Sequence, residues 1–180
     1  MRCFVGVWIG APIRNEIVSI QRIIKTLPII AKFVEKQNLH ITLSFLGNRG
    51  EDELKDLIIA LKGISRKYKK FHVKIRGIKL IPSQNFIRVL ALGIENSEVL
   101  HKLSREISQK LHGDYKPPHI TLCRVKAIMD KNAILEFYKQ HMELEIGNLE
   151  ISSFSLIQSV LTPKGPIYKT IETFELEDNE

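Results

Sequence analysis

Two stretches decide how this chain is read: Asn38-Leu39-His40-Ile41-Thr42-Leu43-Ser44-Phe45-Leu46-Gly47 and Pro118-His119-Ile120-Thr121-Leu122-Cys123-Arg124. In the first, Leu39, Ile41, Leu43 and Phe45 alternate with His40, Thr42 and Ser44, the period of a strand with one face in a core, and Gly47-Asn48 closes it. In the second, the same alternation puts His119, Thr121 and Cys123 on one face and Ile120 and Leu122 on the other; Pro118 suits a strand's first residue, where no ladder donor is needed. Each stretch carries a histidine and a threonine at i and i+2, which emerge from the same face roughly 7 Å apart. One His-x-Thr tripeptide says little, because strands often carry a polar residue at every second position. Two, each followed by leucine and each on an alternating strand, say much more.

Working outward, the segments around the two stretches run in the same order. Residues 2–9 are an apolar strand; Ile13, Ile17, Ile20, Ile24 and Leu27 then recur at helical spacing. After the first motif strand, Leu54, Leu57, Ile58, Leu61, Ile64 and Tyr68 give a strong helical stripe, with Glu51 and Asp52 at the positive end of its dipole. Phe71, Val73 and Ile75 form a strand whose parity shifts at Gly77 as a bulge requires, and Phe86 to Leu92 form another. Ser97 opens a helix carrying Leu100, Leu103, Ile107 and Leu111, with Gly113 placed to take the left-handed closing position. The second motif strand follows, then a short helix capped by Asp130. Leu149 to Leu161 and Ile167 to Leu176 read as a hairpin turned by Thr162-Pro163-Lys164-Gly165-Pro166. The order predicts an α+β fold of two pseudo-symmetric lobes in one bilobal domain over 1–180, with repeat units about 2–80 and 86–176. Its sheets are mainly antiparallel, flanked by helices, around a central groove.

Composition narrows the chemistry. At 180 residues and 44% hydrophobic, the chain can bury a core without staples, and Cys3 and Cys123 form no C-x-x-C pair, so a reducing cytoplasm and a soluble monomer are expected. No apolar run reaches membrane-spanning length. A net charge of +7 favours a polyanionic partner, although lysine-rich surfaces also serve ion pairs in heat-adapted proteins. His-Glu-x-x-His, clustered cysteines, Gly-x-Ser-x-Gly, the phosphate-binding Gly-x-x-x-x-Gly-Lys loop and Gly-x-Gly-x-x-Gly are all missing from the sequence, so no metal and no cofactor are expected.

Two imidazoles with two hydroxyls make a cradle for a tetrahedral anion. Imidazole titrates near neutrality, so one ring can take a proton from water while the other gives one to a leaving alkoxide, and threonine hydroxyls can hold the non-bridging oxygens. Geometry of this kind leaves open which histidine is acid and which is base.

The quoted stretches, with Arg2-Cys3-Phe4-Val5 at the start and Leu161-Thr162-Pro163-Lys164-Gly165-Pro166-Ile167-Tyr168 near the end, resemble the 2H phosphoesterases over essentially the whole chain. Within them the chain is most similar to the RNA 2′,3′-cyclic phosphodiesterases, once called 2′-5′ RNA ligases. The resemblance implies metal-independent hydrolysis of RNA 2′,3′-cyclic ends to 2′-phosphomonoesters. It implies His40 as proton donor, His119 as proton acceptor, and Thr42 and Thr121 as phosphate binders. RNA ending in a 2′,3′-cyclic phosphate, tRNA fragments among it, is the implied partner. Arg124 and Tyr115 are candidate substrate contacts; strand parity sets Arg124 opposite His119 unless the strand bulges, and Tyr115 serves loop packing equally well. Cys123 reads as a small buried hydrophobe. Joining of tRNA halves through a 2′-5′ linkage and a non-catalytic RNA-end binding module are the rival functions; product analysis and turnover, respectively, separate them. The run Arg66-Lys67-Tyr68-Lys69-Lys70 reads foremost as a solvated helix end.

Overall fold

A computed structural model describes residues 1–179. The described residues run β1 (Arg2–Trp8), α1 (Ile13–Ile24), β2 (Ile29–Phe33), β3 (His40–Asn48), α2 (Leu54–Ser65), β4 (Phe71–Pro82), β5 (Ile87–Glu95), α3 (Glu98–Leu111), β6 (Ile120–Ile128), α4 (Lys131–His141), β7 (Glu145–Ile151), β8 (Ser153–Thr162) and β9 (Gly165–Glu175). The fold is α+β, and every pair of these strands is antiparallel. Among the described residues no helix is long and apolar enough to cross a membrane.

The strands follow the order β7-β4-β5-β6-β3-β1-β8-β9, with β2 on β6. The path is weakest at its centre, where β3 and β6 meet through the single pair Ile41 and Ile120. Beyond it, β6 turns its free edge to β2, which pairs from Phe33 on Cys123 to Ile29 on Ile128. Two sub-sheets therefore join at one seam: β9-β8-β1-β3 on one side, and β6 with β2, β5, β4 and β7 on the other. Helix α3 packs behind β3, with α2 between α3 and β9; α1 packs behind β6 and β7, and α4 against β4.

The helices form where the apolar stripes dictate. Leu100, Leu103 and Ile107 of α3 and Ile17 and Ile24 of α1 are fully buried. Each contributes roughly 1.5–3 kcal/mol of burial free energy, far more than helix propensity supplies. The Asp130 carboxylate caps α4 by accepting from the Ala133 amide at 3.3 Å, and Gly77, at φ +81°, sits in the β4 bulge.

From the end of the chain, β8 and β9 complete the sub-sheet begun by β1 and β3. Three expectations change. Ile29–Phe33 is a strand the helical reading of Leu27 passed over, and the first arm of the terminal hairpin is two strands, β7 and β8, in different sub-sheets. The left-handed residue closing α3 is His112, at φ +54°, and not Gly113. Gly113 is demanded by space instead: a Cβ there would lie 2.2 Å from Ser44 Oγ.

Candidate active site

The seam gathers the paired motifs. Antiparallel pairing about Ile41 and Ile120 lays His40 across from Thr121 and Thr42 across from His119, so the two histidines are diagonal neighbours, about 7–8 Å apart at the backbone. The strands that carry them belong to one continuous sheet. Ile41 and Ile120 point the other way and are wholly buried, while His40, Thr42, His119 and Thr121 are all half-buried.

Both rings are oriented by the same local device. His40 Nδ1 lies 2.7 Å from the carbonyl of Asn38, and His119 Nδ1 lies 2.9 Å from the carbonyl of Pro117, two residues back in each case. A carbonyl oxygen only accepts, so Nδ1 carries hydrogen in each ring and Nε2 is turned to the open face. His40 Nε2 meets Thr42 Oγ1 at 3.0 Å, which ties histidine and threonine of one motif together.

His40 stands against an aromatic wall: ring centroids of Phe4, Tyr168 and Trp8 lie 5.0, 5.4 and 5.9 Å away. Trp8 Nε1 donates to Thr170 Oγ1 at 3.0 Å, fixing the wall to β9. Burial there holds His40 below the ordinary histidine range. The hydrogen bond to the Asn38 carbonyl works in the opposite direction, and the positive charges of His119 and Arg124 lower it further. Burial likewise pushes the Tyr168 phenol up, with Arg124 and Arg2 opposing.

Arg124 reaches the face of the two histidines through a bulge. Leu90 of β5 pairs with Cys123 but Ala91 pairs with Thr121, leaving Leu122 as the extra residue. Parity flips there, so Cys123 is wholly buried and Arg124 is exposed on the side of His119. The regular alternation that grouped Cys123 with His119 and Thr121 fails for this reason. The first motif repeats the departure: Val5 pairs with Ser44 and Gly6 with Thr42, which makes Leu43 the extra residue. Ser44 is buried and Phe45 exposed, the reverse of the expected faces.

Tyr115 stands differently. Its hydroxyl meets His101 Nδ1 at 2.5 Å and the Arg105 guanidinium lies 5.3 Å from its ring centroid, so its polar end and one face are taken up by α3. In the Arg66–Lys70 run, Lys67 pairs with Glu106, Tyr68 donates to Glu106 Oε1 at 2.7 Å, and Lys70 lies 2.6 Å from Asp178. Lys67, Tyr68, Lys70 and Glu106 line an open recess of about 420 Å³ together with Val99 and Lys102. Among the described residues no three His, Cys, Asp or Glu side chains gather to hold a metal ion.

Sequence reasoning gave no role to Phe4, Trp8 or Tyr168. In β1, Phe4 and Trp8 alternate with Cys3, Val5 and Val7, all apolar, so nothing in the run marks which face meets the histidines. Tyr168, next to a Pro-Gly turn, was the available signal.

Two antiparallel sub-sheets thus present a paired imidazole and hydroxyl set at their seam, and comparison with known proteins identifies the class as a phosphoesterase. The LigT like Phosphoesterase profile matches residues 7–91. A protein of Methanothermobacter thermautotrophicus named RNA 2′,3′-cyclic phosphodiesterase is 34% identical over 98% of this chain and 99% of its own length. One of the same name from Methanocaldococcus jannaschii is 33% identical over 96% of this chain and 99% of its own. The crystal structure of TT0787 of Thermus thermophilus superposes with a TM-score of 0.83 at 28% identity, covering 100% of both chains. The chain belongs to the LigT-like phosphoesterase family of the 2H superfamily and is an enzyme of that class.

Proposed function

We propose that this enzyme opens the 2′,3′-cyclic phosphate at an RNA end to a 2′-phosphomonoester, without a metal. The observation that carries the reading is the joint placement of His40, Thr42, His119 and Thr121 on one face of the seam, each ring turned outward by its carbonyl partner. The names of the relatives supply the substrate class, and the net charge of +7 favours a polyanion.

In this reading His119 Nε2 takes a proton from water as the water oxygen attacks phosphorus. The bond from phosphorus to O3′ breaks, and His40 Nε2 delivers its proton to that oxygen. Thr42 and Thr121 donate to the non-bridging oxygens, where charge builds, and Arg124 offsets that charge from the same face. In the free enzyme His40 is held low, so its acid form is under-populated at neutral pH. A bound phosphate anion acts in the opposite sense and restores the proton.

A short RNA with a 2′,3′-cyclic end, assayed in EDTA, tests the reading. Turnover should persist and leave the phosphate on O2′, and folded His40→Ala and His119→Ala proteins should each lose it by a factor of about 10²–10⁴. A 3′-phosphate product would reverse the acid and base assignment; fully active alanine variants would remove it.

A further inference from the structure

Each histidine strand bulges at the leucine that follows its threonine, and each bulge is held from behind by one buried polar side chain. The carbonyl of Leu43, the extra residue of β3, accepts from Ser104 Oγ of α3. The carbonyl of Leu122, the extra residue of β6, accepts from Gln21 Nε2 of α1 at 3.0 Å; the same nitrogen donates to the Val34 carbonyl at 2.9 Å. Both donors interrupt apolar helix stripes. Gln21 lies among Ile13, Ile17 and Ile24 at 5% exposure, and Ser104 among Leu100, Leu103 and Ile107 at 0%.

A polar side chain in such a stripe persists where a backbone group takes its hydrogen bond and offsets the cost of its burial; a carbonyl oxygen can accept two such bonds. Here the side chain answers the same group in both sub-sheets. The two helices differ and so do the two side chains, yet each supplies a donor to the fourth residue of a His-x-Thr-Leu motif. The consequence lies two residues further on, where Phe45 and Arg124 return to the reaction face while Ser44 and Cys123 enter the core.

We propose that Gln21 and Ser104 are positioning residues, which fix the two bulges and thereby the aim of Arg124 and Phe45 at the bound substrate. The proposal rests on the proposed function for what those side chains meet. Without its donor, the Leu122 carbonyl keeps only the Val34 amide, at 3.0 Å, and the bulge gains freedom.

The test is a double-mutant cycle on turnover of the cyclic-phosphate RNA with Gln21→Met, Arg124→Ala and the pair; methionine keeps the length of the side chain and removes the donor. Gln21→Met should lower kcat/KM about 10-fold in the native background and less than about twofold once Arg124 is gone, since it acts through that arginine. Equal losses in both backgrounds, or a folded Gln21→Met protein with unchanged kcat/KM, would overturn the proposal. If Gln21→Met does not fold, judged by circular dichroism, Ser104→Ala with Phe45→Ala carries the same cycle, and the same pattern of losses supports or overturns the proposal. If the native enzyme does not turn the substrate over, it is the functional reading that fails, and the His40 ring titration followed by NMR still tests the bulge. Arg124→Ala should then raise the His40 midpoint in the native background and not in Gln21→Met; equal rises would overturn the proposal.

Discussion

Gly6 offers a direct way to disturb the seam without touching a reacting group. It pairs with Thr42 on β1, between Phe4 and Trp8 on the face toward His40. A Cβ there would lie 2.9 Å from the Ile41 carbonyl oxygen and 3.2 Å from Phe4 Cε2. The ring edge can swing aside, but the carbonyl belongs to the backbone between His40 and Thr42, so β1 and β3 must part by a few tenths of an ångström at the motif itself. Overpacking of this kind costs about 1–3 kcal/mol. At about 2–4 °C per kcal/mol for a domain of this size, Gly6→Ala should melt roughly 2–12 °C below the native protein. Displacing the Thr42 hydroxyl and the His40 ring together should lower kcat about 10-fold or more, because catalytic geometry tolerates far less than an ångström. Differential scanning calorimetry and single-turnover assays read the two effects. Gly63→Ala, in α2 with nothing within 4 Å of the added carbon, is the matched control and should raise stability by about 0.5–1 kcal/mol. If Gly6→Ala melts and turns over like the native enzyme, the close approach of β1 to the motif strand does not constrain the site.

Three further outcomes follow from the same geometry. Since kcat/KM reports the free enzyme and kcat the complex, and bound phosphate favours the imidazolium, the alkaline limb of kcat should lie at higher pH than that of kcat/KM; coincident limbs would exclude His40 as the acid. His40 is lowered on folding, so the unfolded chain binds the extra proton and its contribution to stability is present above about pH 6.5 and lost below it as pH falls through the folded value. Thermal melts of His40→Asn should therefore fall less steeply from pH 7 to 5 than those of the native protein. Burial pushes the Cys123 thiol up to about 11 and raises Cys3 as well, so neither should react with iodoacetamide in the folded protein at pH 8, while both should once urea unfolds it.

The alternation of apolar and polar residues around His40 and His119 is enough to place both motifs on strands, and the recurrence of His-x-Thr-Leu is enough to pair them. These are local facts: a side chain's face follows from period two, and a helix from a stripe such as Leu100, Leu103 and Ile107. What lies one bulge further on is not local. Whether Arg124 faces substrate or core depends on Leu122 being squeezed out of register by β5 and held by Gln21 from a helix about a hundred residues earlier, and no pattern within β6 reports that. The aromatic wall is likewise assembled from β1 and β9, opposite ends of the chain that β8 brings side by side by pairing with both. The chemistry on offer, two imidazoles each with a hydroxyl neighbour, is legible in the bare chain because it is written in adjacent residues. Which further side chains surround that chemistry is not, because bulges and long-range strand pairing are settled by the packing of the whole sheet.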